Sequence, residues 1–361
     1  MDKKLKVGII GCGGIANGKH MPNLAKIPEV ELVAFCDIII ERAQNAAQKY
    51  GIEGAKVYTD YRELLADKSI DVVHVLTPNK WHSEITIAAL EADKHVMCEK
   101  PMAINAAEAM KMYKAWQKSN KKLSFGYQYR CLPIPSYSKQ LVEAGELGEI
   151  YFAKAHAVRR RGVPTWGVFL DAEAQGGGPL IDIGTHALDM TLWLMDNYEP
   201  HMVVGTTFSK LRELRGAGNP WGDWDIDKFT VEDSAFGFIK MKNGATIILE
   251  SSWALNTIEP REAQATLCGT KAGLDMKDKL TLNYSRNGRQ CIETPDLNVG
   301  GVAFYAGTSA REPAFVEARR WIDAVLNDTE PFVTPKQALV VSQILDAIYE
   351  SARTDKPVYL D

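Results

Sequence analysis

Much of what this sequence might have been is excluded by what it does not contain. No C-x-x-C pair occurs among Cys12, Cys36, Cys98, Cys131, Cys268 and Cys291, so a structural zinc lobe has no ligand set. Six scattered thiols in 361 residues are no disulfide scaffold. They fit a reducing compartment and point to the cytoplasm. No uncharged apolar run approaches the roughly 20 residues that span a bilayer, which argues against a membrane protein. An excess of positive charge is also missing. Lys and Arg number 42 against 46 Asp and Glu, for a formal net charge of −4, which argues against a nucleic-acid partner. Internal repeats and low-complexity tracts are absent. Lys3, Lys4 and Lys6 ahead of Ile9-Ile10-Gly11-Cys12 imitate a lipoprotein cleavage box. The apolar stretch there is shorter than the roughly 7–15 residues of a signal peptide, so it reads as a first buried strand.

What is present is a change of pattern part-way along. Short apolar runs at 5–10, 30–36, 71–76, 95–98 and 122–125 alternate with helical stretches ending near Ile27 and at 41–50, 83–92 and 106–118. Strands alternating with helices of about ten residues mean βαβ units and a parallel sheet. After the helical stretch 180–195 come strand-like runs at 201–208, 233–241, 244–252, 263–268 and 279–284, with Asn243-Gly244 as a hairpin turn. Helices at 313–326 and 335–352 close the chain, each opened by a proline. The expected organisation is α/β in two domains. Residues 1–125 form a doubly wound parallel sheet, and residues 126–361 carry a mostly antiparallel one.

The first turn carries a dinucleotide pattern, G-x-G-x-x-A at Gly11, Gly13 and Ala16. Gly11 permits the tight turn, Gly13 lets a pyrophosphate approach, and Ala16 keeps helix close to strand. The helix N-terminus offers its free N–H groups to phosphate. Asp37 ends the second strand, where a carboxylate accepts bonds from the adenosine ribose and repels a 2′-phosphate. NAD is therefore expected over NADP, with Arg42 close enough to blur the choice. Two further clusters follow strand ends: Thr77-Pro78-Asn79-Lys80-Trp81-His82 and Cys98-Glu99-Lys100-Pro101. Ligands in open α/β sheets bind beyond such ends, which puts both clusters where the nicotinamide should lie.

The second half holds a glycine run, Gly176-Gly177-Gly178, leading to Asp182, His186 and Asp189. Asp182 and His186 are four apart and share a helix face. Removing a hydroxyl proton while hydride leaves carbon suits a histidine, whose pKa lies near neutrality. Asp182 would bond substrate or orient His186. Two other readings stand beside this one. The Asp-His-Asp set could hold a metal, or Asp182 could be a cap and His186 a satisfied core residue.

Together these pieces resemble the glucose-fructose oxidoreductase / inositol dehydrogenase (Gfo/Idh/MocA) family. The matching residues are Gly11-x-Gly13-Gly14-Ile15-Ala16, Thr77-Pro78-Asn79 with His82, Glu99-Lys100-Pro101, and Gly177-Gly178-x-x-x-Asp182-x-Gly184-x-His186-x-x-Asp189. They run in family order through both halves. The resemblance implies an N-terminal Rossmann domain and a C-terminal α/β domain with a large open sheet that packs on a second subunit as a dimer or tetramer. It implies that Lys100 bonds the reacting hydroxyl, His186 is the acid/base and Asp182 holds the substrate, with no metal. Hydride would pass between NAD and a secondary alcohol carbon of a sugar, sugar derivative or inositol. Alternatives within the resemblance are a redox-neutral NAD-dependent glycosidase and a non-catalytic sugar- or dinucleotide-sensing regulator.

Three positions depart from the family pattern. Trp166-Gly167 stands where the family often has Trp-Arg, leaving Trp166 as a substrate contact. Gln128 stands in for a cofactor-binding asparagine. Arg161, in the run Arg159-Arg160-Arg161, is either a substrate contact or a solvated strand end. The loop 219–227, with Trp221 and Trp224, reads as a sugar-stacking lid or as a subunit contact.

Overall fold

The structure, a computed structural model, describes residues 4–214, 218–297 and 312–360. The chain divides into two compact units, one of residues 1–128 with 301–339 and one of residues 129–300 with 340–361.

The first unit is built on six strands: β1 (Leu5–Ile10), β2 (Val30–Cys36), β3 (Lys56–Tyr58), β4 (Val72–Val75), β5 (His95–Cys98) and β6 (Leu123–Phe125). Their order is 3-2-1-4-5-6 and every pairing is parallel. That is the order of a doubly wound nucleotide-binding sheet, whose reversal point lies between β1 and β4. The central strands are apolar throughout because both faces are covered: Val7, Ile9, Val72 and Val73 have no exposed surface. β3 and the helix Tyr61–Ala66 were not expected from the sequence. β3 is a three-residue, half-buried edge strand without an apolar run to announce it.

One helix arrives from far along the chain. Pro313–Leu326 puts Ala318, Trp321 and Ile322 into the same core as Met21, Leu24, Ile27 and Phe35. The division expected at 125/126 assigned this helix to the second half. It groups with the first unit, because its apolar stripe completes the packing beside β1 and β2.

The second unit carries nine strands, β7 (Ile150–Val158), β8 (Pro200–Phe208), β9 (Ser234–Met241), β10 (Thr246–Ser252), β11 (Arg261–Gly269), β12 (Ala272–Asp275), β13 (Thr281–Arg286), β14 (Arg289–Glu293) and β15 (Val358–Tyr359). Their order is 14-13-12-11-7-10-9-8-15. Only the β7–β10 pairing is parallel among these described strands. The Asn243-Gly244 turn joins β9 to β10 as expected, with Gly244 at φ +90°. β7, missed from sequence, alternates alanine with larger residues. Ala153, Ala155 and Ala157 are fully buried where the helix Thr185–Met195 packs on the sheet. The same strand turns His156 to the other face, into a polar network. There its ring nitrogens lie 3.0 Å from the Thr266 hydroxyl and 3.2 Å from the Glu250 carboxylate.

Candidate active site

The glycine turn after β1 has the shape a dinucleotide needs. Gly11 sits at φ +93°, and a Cβ there would lie 2.7 Å from the Leu76 carbonyl oxygen, so only glycine fits. By contrast, a Cβ at Gly13 or Gly14 would meet nothing within 4 Å. That is open space in front of a helix start. Ala16 is fully buried against the sheet. The Asn17 amide donates to the Cys12 and Gly13 carbonyls at 2.9 and 3.0 Å and fixes the turn. Asp37, at the end of β2, is tied to that turn. One carboxylate oxygen accepts from the Cys12 N–H and the other from the Ile39 N–H, both at 2.9 Å. Each oxygen keeps a lone pair for a further donor. Open space at Gly13–Gly14 and an acidic group beside it fit NAD.

The two strand-end clusters are physically joined. His82 has no exposed surface, and its ring nitrogens lie 2.8 Å from the Pro101 carbonyl oxygen and 2.9 Å from that of Thr77. His82 therefore acts as a strut between the loop after β4 and the loop after β5, and burial lowers its pKa. Pro78 is exposed and Asn79 half-buried at the mouth of this region. The Lys100-Pro101 peptide is cis.

Behind Lys100 lies a buried ionic network that the sequence did not disclose. Glu99 accepts from the Lys100 N–H at 3.0 Å, from Lys19 Nζ at 2.8 Å and from His20 Nε2 at 2.7 Å. His20 in turn meets His74, Nδ1 to Nδ1, at 3.2 Å. Lys19 also reaches Glu317, on the returning helix, at 2.8 Å. The two carboxyls respond oppositely. Burial works against the charge on Glu99, but Lys19 and His20 outweigh it and hold its carboxyl well below the usual range. Burial dominates at Glu317 and pushes it up.

In the second unit the glycine run is anchored from below. Glu232 accepts from the Gly178 and Leu180 N–H groups at 2.9 and 3.1 Å and from the Tyr349 hydroxyl at 2.8 Å. A Cβ on Gly178 would run into the Glu232 carbonyl oxygen. From this anchor rises a single π-helical turn, Leu180–Gly184, continuing as the α-helix Thr185–Met195. Such turns are rare and are frequent at functional sites. Asp182 is on the π turn and accepts from the indole N–H of the fully buried Trp253 at 3.0 Å. It is not a helix cap. His186 is buried, with its ring centroid 4.4 Å from that of Tyr129. Three residues on, Asp189 forms a bidentate pair with Arg130, at 2.8 Å from Nε and 2.6 Å from Nη2. Asp189 is thus committed to a guanidinium and not to a metal. Among the described residues no group of three or more His, Cys, Asp or Glu side chains is placed to hold one.

The remaining expected contacts lie on separate elements. Gln128 opens the short helical turn Gln128–Cys131. Arg161 donates to the Asn256 side chain at 2.8 Å. Ile15 and Trp166 are exposed. Trp224, grouped with Trp221 as part of a lid or contact surface, is instead buried, and its indole N–H donates to the Arg212 carbonyl. Tyr129, Arg130, Glu232 and Trp253 were missed as site residues. Their partners lie tens of positions away, and no local spacing signals them.

Residues 5–127 match the oxidoreductase family, NAD-binding Rossmann fold, and residues 137–275 the C-terminal domain of the same Gfo/Idh/MocA group. The chain belongs to the Gfo/Idh/MocA oxidoreductase family. A curated relative is D-glucoside 3-dehydrogenase of Escherichia coli, 36% identical over 356 residues, covering 99% of this chain and 97% of the relative. Inositol 2-dehydrogenase of Salmonella paratyphi B is 34% identical over 212 residues, 58% of this chain and 60% of that one. A solved levoglucosan dehydrogenase in complex with NADH shares the fold, with a TM-score of 0.82 at 24% identity, covering 99% of this chain and 100% of that one. As a Gfo/Idh/MocA member the chain is an NAD-binding oxidoreductase. Among its described residues no helix is long and apolar enough to cross a membrane.

Proposed function

We propose that this oxidoreductase transfers hydride between NAD and a secondary alcohol carbon of a sugar, sugar derivative or inositol. The observation that carries the reading is the pairing of Asp182, oriented by a buried indole, with His186, enclosed against Tyr129 on the same helical segment. The relatives' names support the substrate class.

Bound NAD supplies the hydride acceptor. Gly11, Gly13, Gly14 and Ile15 hold its pyrophosphate, Asp37 its adenosine ribose, and Thr77, Pro78, Asn79 and Gln128 line its remaining length. Glu99 and His82 act from behind, positioning Lys100 and its loop. The Lys100 ammonium donates to the reacting hydroxyl and stabilises negative charge on that oxygen as it develops. His186 removes the hydroxyl proton. Asp182 accepts from a neighbouring hydroxyl and fixes which carbon is presented. Trp166 and Arg161 contact the substrate further out. The enzyme works in the cytoplasm as a homo-oligomer, a dimer or tetramer whose copies meet through the second-unit sheet. Support for this comes from Phe238 and Val204, exposed on β9 and β8.

A panel of sugars, inositols and their oxidised forms, assayed separately with NAD and NADP by reduced-nicotinamide absorbance, tests the reading. Net NADH formation on at least one polyol is expected. Turnover of glycosides to free sugar without NADH would replace it with the glycosidase.

A further inference from the structure

Trp166 and Trp221 leave 51% and 43% of their surfaces exposed, which is unusual for so large an apolar side chain. Their rings meet edge to face, with centroids 5.0 Å apart and planes at 86°, forming an open right-angled corner. The two loops that carry them are braced to each other. The Asn219 side chain accepts from the Val163 N–H at 2.9 Å and donates to the Val163 and Gly222 carbonyls at 3.0 and 2.8 Å. The Thr165 hydroxyl donates to the Trp221 carbonyl at 2.7 Å. Trp224, buried one turn further on, pins the same loop through its bond to Arg212. The corner is therefore preorganised, so little ordering entropy remains to oppose a ligand.

This corner is continuous with the catalytic candidates. Trp166 meets Phe169 with centroids 5.9 Å apart, and Phe169 meets Trp253 at 6.5 Å. Trp253 is the residue that holds Asp182. On the other side the Arg159 guanidinium lies 5.4 Å from the Trp221 ring centroid, paired with Glu262 at 2.7 Å. The Asp182 carboxylate is among the charges that favour the cationic form of Arg159. Two indoles offer far less than the roughly 800 Å² per partner of a standard protein interface, which argues for a small ligand. The ligand chemistry that matches a rigid apolar corner with the Arg159 guanidinium beside it is a pyranose, apolar on its C–H face and hydroxylated at its edge.

We propose that Trp166 and Trp221 form a subsite for the second ring of a disaccharide or glycoside whose first ring is held at Asp182 and His186. The proposal rests on the sugar-oxidoreductase reading and adds that the preferred substrate is longer than one ring. Calorimetry on the NADH-loaded enzyme, with glucose disaccharides of each linkage and with methyl glucosides, reads binding without needing turnover. At least one disaccharide should bind about tenfold tighter than the methyl glucoside, a difference of about 1.4 kcal/mol. Trp221→Ala should erase most of that advantage while leaving methyl glucoside and NADH affinities within about twofold. Where an alanine variant melts early, Trp→Leu at the same position takes its place with the same expectation. Equal affinity for one-ring and two-ring ligands in the wild type overturns the subsite. So does a loss that is the same for both ligands, or a change confined to sedimentation, which would make the corner a contact between copies. A wild type that binds disaccharides in this Trp-dependent way yet oxidises no sugar would sink the functional reading and leave the subsite standing.

Discussion

Asp189→Asn is the substitution whose cost the structure defines best. Arg130 has no exposed surface and Asp189 is 1% exposed, so neither charge can turn to water when the other is lost. Asparagine keeps the shape but removes the charge, leaving a guanidinium that can never deprotonate in a dry site. Removing one partner of a buried pair costs about 3–5 kcal/mol. For a unit of this size each kcal/mol moves the melting temperature by about 2–4 °C, which gives a fall of about 6–20 °C. Scanning calorimetry should place the loss in the transition of the second unit. Burial pushes the Asp189 carboxyl up despite Arg130, and the desolvation cost of a buried pair can match its Coulombic gain. Arg130→Met combined with Asp189→Leu should therefore recover most of the loss, as apolar replacement of whole pairs often does. The double variant should still turn over slowly, because Tyr129 directly precedes Arg130 and His186 lies one helical turn before Asp189. An Asp189→Asn protein within about 1 kcal/mol of wild type would refute the reasoning.

Asp37→Ala should lose NAD preference, as kcat/KM for both cofactors will show, and a wild type favouring NADP tenfold would refute the assignment. Lys100→Met and His186→Ala should keep near-native NADH affinity and turn over at least about a hundredfold more slowly. Near-native kcat across the pH range in His186→Ala would move the proton to Lys100 or water. His95 is pushed down to about 4 by burial and by Lys121 and Lys122, and its Nδ1 accepts from the Lys122 N–H. Its folded pKa lies below its unfolded value of about 6.5, so the unfolded chain binds the proton first. Stability from this group is complete above about pH 6.5 and is lost as pH falls towards 4, so His95→Gln should flatten the melting-temperature slope in that window. Sedimentation at micromolar concentration should show no dominant species of monomer mass, and a clean monomer would count against the shared sheet.

Local sequence signals served well where chemistry is local. Gly11, Gly13 and Asp37 were each singled out from a turn within a few residues, and the structure ties Asp37, at the end of β2, to the glycine turn after β1. Strands buried on both faces were legible as apolar runs. β7 was not, because small alanines under a helix do not look like a strand until the helix is in place. Asp182 and His186 were singled out by type and spacing, but the π turn that carries Asp182 was not, and the Glu232 carboxylate that anchors Gly178 and Leu180 below it comes from 54 and 52 positions away. Arg130 and Asp189 stood in plain view, 59 positions apart, with nothing to link them. His82 carried a family motif, yet its own contacts are to two backbone carbonyls.

The helix Pro313–Leu326 has a consequence for how the chain is made. Trp321 and Ile322 sit in the core of the nucleotide-binding unit, and Glu317 pairs with Lys19 there. A nascent chain emerging from the ribosome has synthesised all six parallel strands by Phe125 but still lacks this helix. At about 5–20 residues per second the missing helix arrives roughly 10–40 s later. For that interval the packing surface beside β1 and β2 is open, and Lys19 has one carboxylate partner fewer than in the finished protein. A chain stopped near residue 300 would stay in that condition permanently, so the first 127 residues are not a free-standing cofactor module to be cut out and transplanted.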